Sequence, residues 1–201
     1  MAGTGSGNES RERLLRAATE YIGDHGVADL SLRGIAAGIG TSHRMLLYHF
    51  GSKEGLLIAV IRAVEAEQRR VFAALEVDPT LSPVDMARAM WAHFSDPALW
   101  PNERLFFEMY GQALQGRART DGLLDDIVES WLDAIALGRE SQGVPPEVAR
   151  AQARLGVALT RGLLLDLLAT GDRAGTDAAM EAFIALWEAA DARSLSGRAP
   201  E

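Results

Sequence analysis

Residues 31–50 contain two short helical patterns joined by a glycine-containing turn, and this feature limits the possible fold more than any other. The first pattern, residues 32–38, repeats apolar residues at the spacing of one helix face and follows Ser31, which stands at the N-cap position. Gly38 and Gly40 bracket the turn, where glycine permits the positive φ of a sharp change of direction. The second pattern begins at the capping pair Thr41 and Ser42 and runs to about residue 48. Two helices joined in this way form a helix-turn-helix, whose second helix can enter the major groove of DNA.

The charge pattern around these helices favours a DNA-binding surface. No acidic residue lies between Asp29 and Glu54, whereas that window holds Arg33, His43, Arg44, His49 and Lys53. Phosphate neutralisation requires such a surface. The net charge of the chain is -8, but residues 1–54 hold six acidic and six basic side chains, so the acidic excess lies wholly beyond them. An ordinary helical hairpin would show the two helices without this charge pattern, so the prediction rests on both features.

Residues 40–57, with the sequence GTSHRMLLYHFGSKEGLL, resemble the signature of TetR-type repressors. That family has Gly-Val-Ser-x-x-Thr-Leu-Tyr-x-His/Tyr-Phe-x-Ser/Asn-Lys, followed by an acid and paired leucines. The upstream segment from Gly26 to Ala36 also fits, and the similarity covers about residues 10–65. The resemblance implies an N-terminal DNA-binding domain of three helices and a second helical domain that binds a ligand and forms a dimer.

The same resemblance implies DNA contacts from the helix-turn-helix and its flanking helices. Arg33 falls where the family often contacts DNA, residues 43–45 fall on the base-reading turn, and Lys53 falls where a lysine meets phosphate. The chain departs from the family at Leu47, where a phosphate-binding tyrosine is usual; Tyr48 follows about 100° further round the helix. The predicted DNA-binding residues are Ser31, Arg33, Thr41, Ser42, His43, Arg44, Met45, Leu47, Tyr48 and Lys53.

Apolar periodicity and breaker residues predict an all-α chain of about nine helices, with no strand pattern. The helices are predicted at about 9–25, 32–38, 41–48, 53–75, 83–95, 101–115, 121–141, 146–170 and 175–193. The predicted division is a disordered arm at 1–8, the DNA-binding domain at 9–54, the ligand-binding and dimerisation domain at 55–195 and a flexible tail at 196–201. The helix at about 53–75 would connect the two domains.

Composition agrees with a folded cytoplasmic protein. The chain of 201 residues is 48% hydrophobic and 24% charged. It has no cysteine, which excludes disulfides and thiolate metal sites and agrees with a reducing compartment. No stretch approaches 18 uncharged apolar residues, and the polar N-terminus lacks the apolar segment of a signal peptide. We therefore predict a cytoplasmic protein without a membrane partner.

Six of the 13 aromatic residues lie between Trp91 and Tyr110, and two interpretations of this cluster stay open. Aromatic residues at helical spacing usually pack in a core. They also form apolar pockets with a few polar groups, the usual form of a small-molecule site. The resemblance implies an inducer pocket here, and its ligand would be largely apolar. The candidate ligand-binding residues are Trp91, Phe94, Arg104, Phe107, Glu108, Tyr110, Trp131 and Arg161.

The last two predicted helices are strongly apolar, and small residues among large ones allow close helix approach. Burial within one chain would explain them. The alternative is a four-helix interface formed with the same pair from a second chain, which the resemblance favours. The candidate interface residues are Leu155, Ala158, Leu159, Gly162, Leu163, Phe183, Leu186 and Trp187.

The sequence carries no recognisable catalytic or metal-binding motif: it has no His-x-x-x-His pair, phosphate loop or Gly-x-Ser-x-Gly elbow. We therefore predict a protein that is not an enzyme and needs no metal or cofactor. Its predicted function is that of a ligand-responsive transcriptional regulator, a homodimeric repressor that a small molecule releases from a double-stranded DNA operator. The alternative is an all-helical small-molecule-binding protein or enzyme, in which the N-terminal unit makes protein contacts and the aromatic cluster forms an active site.

Overall fold

A computed structural model describes residues 4–26, 30–78, 80–116 and 123–196. Within these ranges the chain forms nine α-helices and one short 3-10 helix, with no strand, so the all-α prediction is confirmed. The helices are α1 (Thr4–His25), α2 (Leu32–Gly38), α3 (His43–Phe50), α4 (Lys53–Glu76), α5 (Pro83–Phe94), α6 (Trp100–Leu114), α7 (Leu123–Ser141), α8 (Pro146–Thr170) and α9 (Arg173–Ser196), with the 3-10 helix at Pro97–Leu99.

The N-terminal end of the chain differs from the prediction. The sequence predicted a disordered arm over residues 1–8, but α1 already begins at Thr4. Elongation of an existing helix adds one backbone hydrogen bond per residue without a new nucleation cost, so weak helix formers can still extend it. The Asn8 side chain also donates to Glu12 Oε1 at 2.8 Å. At the other end α9 reaches Ser196, and residues 197–201 of the predicted tail lie outside the described residues.

Serine side chains cap three of the first helices. The Oγ atoms of Ser31, Ser42 and Ser52 each accept a hydrogen bond from the backbone N–H three residues later, at 3.0, 3.1 and 3.0 Å. Each bond satisfies an amide that the first helical turn leaves without a partner. Because Ser42 is the cap, α3 begins at His43 rather than at residue 41, and it continues to Phe50.

The described residues fall into two compact units. The first consists of the residues up to Arg69 together with Pro97–Ser130, and the second of Arg70–Asp96 together with the residues from Trp131 onward. Both α4 and α7 therefore contribute to each unit. The predicted domain boundary at residue 54 stays a prediction, because compactness of packing and independence of domains are different properties.

In the first unit, α1 to α4 and α6 share one apolar core. Its members are almost completely buried and include Ala18, Ile22, Ile35, Leu46, Leu56, Val60, Leu105 and Met109. The recognition-helix candidate α3 enters this core through Leu46, which is 0% exposed. Burial of a whole leucine side chain contributes about 1.5–3 kcal/mol, so this contact fixes which side of α3 faces outward.

In the second unit, polar contacts join α5 to α9 beside an apolar cluster. Trp91 Nε1 donates to Asp177 Oδ1 at 2.6 Å, and Arg88 makes a bidentate pair with Glu181, with nitrogen–oxygen distances of 2.9–3.1 Å. Arg173 donates to the backbone carbonyl of Ser95 at 2.9 Å. These hydrogen bonds connect residues that lie some 80 to 90 positions apart in the sequence, and they hold α9 against α5.

Candidate DNA-binding interface and ligand sites

The turn between α2 and α3 depends on two glycines for different reasons. Gly40 has a φ of +68°, in the left-handed region that glycine occupies without a steric cost. Gly38 is the last residue of α2 and does not have a positive φ. A Cβ at position 38 would clash with the ring of Tyr21 on α1. Gly38 therefore lets α1 pack closely against α2. The sequence analysis had instead explained Gly38 by the positive φ of the turn, which Gly38 does not adopt.

The outward face of α3 carries the side chains predicted to read DNA. Arg44 is exposed, Tyr48 is 79% exposed, and Leu47 is 39% exposed. At 100° per residue, Leu46 lies about 200° round the helix from Arg44. The burial of Leu46 therefore leaves Arg44 and Tyr48 on the accessible side.

The remaining predicted residues surround this face. Arg33 is exposed on α2, Met45 is exposed on α3, and Thr41, His43 and Lys53 are half-buried. The oxygens of Ser31 and Ser42 accept the cap bonds, but each hydroxyl keeps a proton that it can donate to a phosphate. Lys53 begins α4, at the end of the helix where the helix dipole favours an anion. All ten predicted residues thus lie on or beside the helix-turn-helix of the first unit.

The eight candidate ligand-binding residues are divided between the two units. Arg104, Phe107, Glu108 and Tyr110 belong to the first unit, and Trp91, Phe94, Trp131 and Arg161 belong to the second. In the second unit Trp131 is buried and packs edge-on against Phe94 and Phe72, with ring centroids 5.8 and 5.9 Å apart. Trp91 is also buried and gives its indole proton to Asp177. In this arrangement the aromatic side chains of the second unit pack as a core.

On α6 the candidates differ in exposure. Phe107 and Tyr110 are half-buried and pack on the ring of Phe106. Arg104 and Glu108 are exposed. The guanidinium of Arg104 lies over the Trp100 ring, 5.6 Å from its centroid, which is within the range of a cation–π contact. Their role in ligand binding stays a prediction.

The candidate dimer residues form an exposed apolar surface on α8 and α9. Leu155, Ala158 and Gly162 are exposed along α8, and Leu186 is 70% exposed on α9. The other four candidates are half-buried: Leu159, Leu163, Phe183 and Trp187. Trp187 also lies under the guanidinium of Arg139, at 5.0 Å from its ring centroid. Exposure on this face is what an interface between two chains requires.

Sequence reasoning missed a polar cavity between α4 and α6. Its lining includes Glu65, Gln68, Asn102 and Glu103, none of which was a candidate. The signal was present, because Glu65 and Gln68 continue the apolar stripe of α4 from Val60, Ile61 and Val64. Polar residues at core positions of an amphipathic helix indicate a buried polar site.

No group of three or more histidine, cysteine or acidic side chains in the described ranges could hold a metal ion. In the same ranges, no helix is both long and apolar enough to cross a membrane.

Fold and site together define an all-α protein with an N-terminal helix-turn-helix. Residues 14–60 match the family model described as bacterial regulatory proteins, tetR family. The HTH-type transcriptional regulator BetI of Stenotrophomonas maltophilia is 35% identical over 80 residues, which are 40% of this chain and 41% of that protein. The matched part thus spans about two fifths of the length of this curated relative.

Solved structures extend the likeness over most of the chain. A TetR-family transcriptional regulator from Pectobacterium atrosepticum has a TM-score of 0.71 at 21% identity, covering 92% of this chain and 94% of that one. The structure described as multidrug binding protein EbrR complexed with imidazole has a TM-score of 0.61 at 27% identity, covering 87% of each chain. The N-terminal region thus matches the TetR family in sequence, and the chain has the fold of solved TetR-family regulators. The relatives are named as regulators rather than enzymes, in agreement with the sequence prediction.

Proposed function

We propose that the chain is a homodimeric transcriptional regulator that binds an operator in double-stranded DNA and releases it when a small molecule binds. The observation that carries this proposal is the orientation of α3. Its one fully buried residue, Leu46, turns Arg44, Leu47 and Tyr48 outward beside the exposed Arg33. A helix anchored on one side and basic on the other is the form that enters a major groove.

The DNA-contacting residues divide into base-reading and phosphate-binding groups. Arg44 and Met45, in the first turn of α3, would reach base edges, because the N-terminal residues of a recognition helix do so in this motif. Arg33 and Lys53, on the flanking helices, would bind phosphates. Tyr48 is more exposed than Leu47, so its hydroxyl is available for the phosphate contact that the family usually makes from the preceding position.

The proposal is tested by fluorescence anisotropy with DNA from upstream of the protein's own gene and with a scrambled duplex, at several salt concentrations. We expect Arg44→Ala to weaken specific binding by about 1–3 kcal/mol and to leave scrambled DNA less affected. Arg154→Ala, which removes an exposed arginine on α8, is the matched control and should change neither affinity. Equal losses for Arg44→Ala and Arg154→Ala would contradict the assignment of α3 as the reading helix.

The dimer proposal is supported by the exposed apolar face of α8 and α9. A helix-turn-helix contacts only a few base pairs, and two copies about 34–36 Å apart are the usual solution. Leu155, Ala158 and Gly162 recur at i, i+3 and i+7, so they share one helix face. Burial of this face against a second copy would remove it from water and place two recognition helices in one assembly.

Ligand release is the family's usual mode of regulation, and we propose it for this chain. The EbrR structure is described as that of a multidrug binding protein with imidazole, which supports a small-molecule effector. A coupling of about 1–3 kcal/mol between ligand and DNA would change operator occupancy by one or two orders of magnitude. Access to operator DNA would place the protein in the cytoplasm.

A further inference from the structure

Arg11 lies on α1 at the end of the buried stripe of that helix. Leu14, Ala18 and Ile22 follow it at positions i+3, i+7 and i+11, so the four residues share one helix face. Arg11 is half-buried, and its guanidinium lies over the ring of Phe50, 5.1 Å from the centroid. Phe50 is the last residue of α3. The stripe that packs α1 against the helix-turn-helix therefore ends in a cation at the C-terminal end of α3.

The partners of this guanidinium set Arg11 apart from the arginines described in the second unit. Arginine has five N–H donors, and in the described part of the chain those of Arg11 make neither a hydrogen bond nor an ion pair. Contact with a ring face uses the flat side of the guanidinium, so the donors in its plane stay available. By contrast, three arginines of the second unit pair with carboxylates at nitrogen–oxygen distances of 2.8–3.5 Å: Arg88, Arg150 and Arg173.

Arg11 shares this property with the cations that were predicted to bind DNA. Arg33, Arg44 and Lys53 also have no carboxylate partner among the residues that the structure describes. Lys53 follows Phe50 by three residues, so their Cα atoms lie no more than about 11 Å apart. Arg11 therefore stands beside the part of the predicted interface that would bind phosphate.

Two acidic residues flank Arg11 in the sequence but not on the surface of the helix. Glu9 and Glu12 lie about 200° and 100° round α1 from Arg11. Glu12 also accepts a hydrogen bond from the side chain of Asn8 at 2.8 Å. Neither carboxylate shares the helix face on which Arg11 meets the end of α3, so the positive charge there is available to an external anion.

We propose that Arg11 binds a backbone phosphate of the DNA beside Lys53, so that α1 belongs to the DNA-binding surface. Phosphate oxygens accept two parallel N–H bonds from the fork of a guanidinium. Bases are read from the N-terminal residues of a recognition helix, so a contact at the opposite end of α3 adds affinity rather than sequence preference. Arg11 precedes the residues 14–60 that match the family model, so that match does not assign it. The inference rests on the proposed function.

The alternative is a purely structural role for Arg11. A cation near the C-terminus of a helix is favourable, and the contact with Phe50 also holds α1 on α3. Loss of these contacts would disturb α3 and weaken DNA binding without any bond to phosphate. The number of counterions released on binding separates the two roles, because a lost phosphate contact changes that number.

The salt dependence of binding is measured by fluorescence anisotropy, with DNA from upstream of the gene and with a scrambled duplex. Arg11→Gln should reduce the slope of log affinity against log salt by about 0.9 with both duplexes. In 0.1 M salt this slope corresponds to about eightfold weaker binding, and the difference should shrink as the salt approaches 1 M. Arg11→Lys keeps the charge and should keep the slope. Weaker binding of Arg11→Gln with an unchanged slope would overturn the proposal in favour of the structural role.

Arg16→Gln is the matched control. Arg16 is exposed on the same helix, about 140° round from Arg11, and it too has no carboxylate partner in the described ranges. Its replacement changes the net charge by the same amount and should leave the slope unchanged. A reduction as large as that of Arg11→Gln would show that net charge rather than a particular contact sets the slope, and the proposal would fail.

A second measurement tests the contact from the side of the DNA. Methylphosphonate groups, which lack the phosphate charge, are placed one at a time along the upstream duplex. At one position in each half-site, the replacement should weaken binding of the unaltered chain and have no further effect on Arg11→Gln. Additive losses at every position would exclude a direct contact. If Arg11→Gln does not fold, the Nε–H signal of Arg11, identified by its absence from Arg11→Lys, should shift with the normal duplex and not with the replaced one; no shift would overturn the proposal.

Failure of the proposed function would give a different result. An unaltered chain that binds neither duplex would contradict that function, and the inference with it. An unaltered chain that prefers upstream DNA, together with an unchanged slope in Arg11→Gln, would overturn the inference alone.

Discussion

Replacement of Gly38 by alanine separates helix propensity from tertiary packing. Alanine in a helix is favoured over glycine by about 1 kcal/mol, so propensity alone predicts a more stable protein. The structure predicts the opposite, because the added Cβ would clash with the Tyr21 ring. Overpacking of this kind costs about 1–3 kcal/mol. The net expectation is a loss of about 0–2 kcal/mol in the free energy of unfolding.

Gly111→Ala is the matched control. Gly111 lies within α6 of the same unit, and a Cβ there would meet nothing within 4 Å. Here only the propensity gain applies, so we expect a rise of up to about 1 kcal/mol. Urea unfolding followed by circular dichroism measures both variants, and a change of 1 kcal/mol corresponds to about 2–4 °C in melting temperature for a chain of this size. The two glycines should therefore respond with opposite signs.

A double-mutant cycle identifies the cause. In a Tyr21→Ala background the ring is gone, so Gly38→Ala should lose its penalty and regain the propensity term. The coupling free energy between the two positions should then be about 1–3 kcal/mol. If Gly38→Ala stabilised the chain with Tyr21 present, or if its effect were the same in both backgrounds, the contact between α1 and α2 would not be the reason for glycine at this position.

Three further predictions follow from individual contacts. Lys53→Ala should weaken binding to every DNA sequence and reduce the slope of log affinity against log salt by about one; an unchanged slope in the anisotropy titration would reject its phosphate contact. Leu186→Glu should convert a dimer to a monomer by light scattering, whereas Leu137→Glu, at the same 70% exposure on α7, should not, and dissociation by both would argue against a specific interface. Hydrogen bonding from Arg88 lowers the pKa of Glu181, so this pair stabilises the fold above the ordinary carboxyl range and the benefit disappears as pH falls through the lowered pKa. Glu181→Gln should therefore reduce the melting temperature near neutral pH and have little effect in acid; a loss of the same size at both pH values would indicate packing instead.

The helix-turn-helix was predictable because its signals are local. Serine caps, glycine at the turn and an apolar stripe act within a few residues, and the structure places α2 at the predicted residues 32–38. The cap at Ser42 also set the start of α3, although the sequence left residues 41 and 42 both open. The start of α1 was not predictable in the same way, because no strong stop signal separates a fraying end from an extended helix.

The ligand sites were less predictable, because an aromatic side chain looks the same in a core and in a pocket. Trp91 and Trp131 were both candidates, but one pairs with Asp177, 86 positions away, and the other packs among rings from α4 and α5. The polar cavity was only half visible in the sequence. Glu65 and Gln68 lie at core positions of the α4 stripe, but only the packing of α6 brings Asn102 and Glu103 opposite them.

The amino-acid order by itself determined the helical class, the helix-turn-helix and the positions of its caps, because a helix satisfies its backbone hydrogen bonds among near neighbours. Only the tertiary structure decided which surfaces of those helices are buried. It gave Gly38 its packing role against Tyr21, turned Arg44 outward through Leu46, and enclosed two carboxylates between α4 and α6. Burial depends on residues far apart in the chain, and no local pattern specifies which of them will meet.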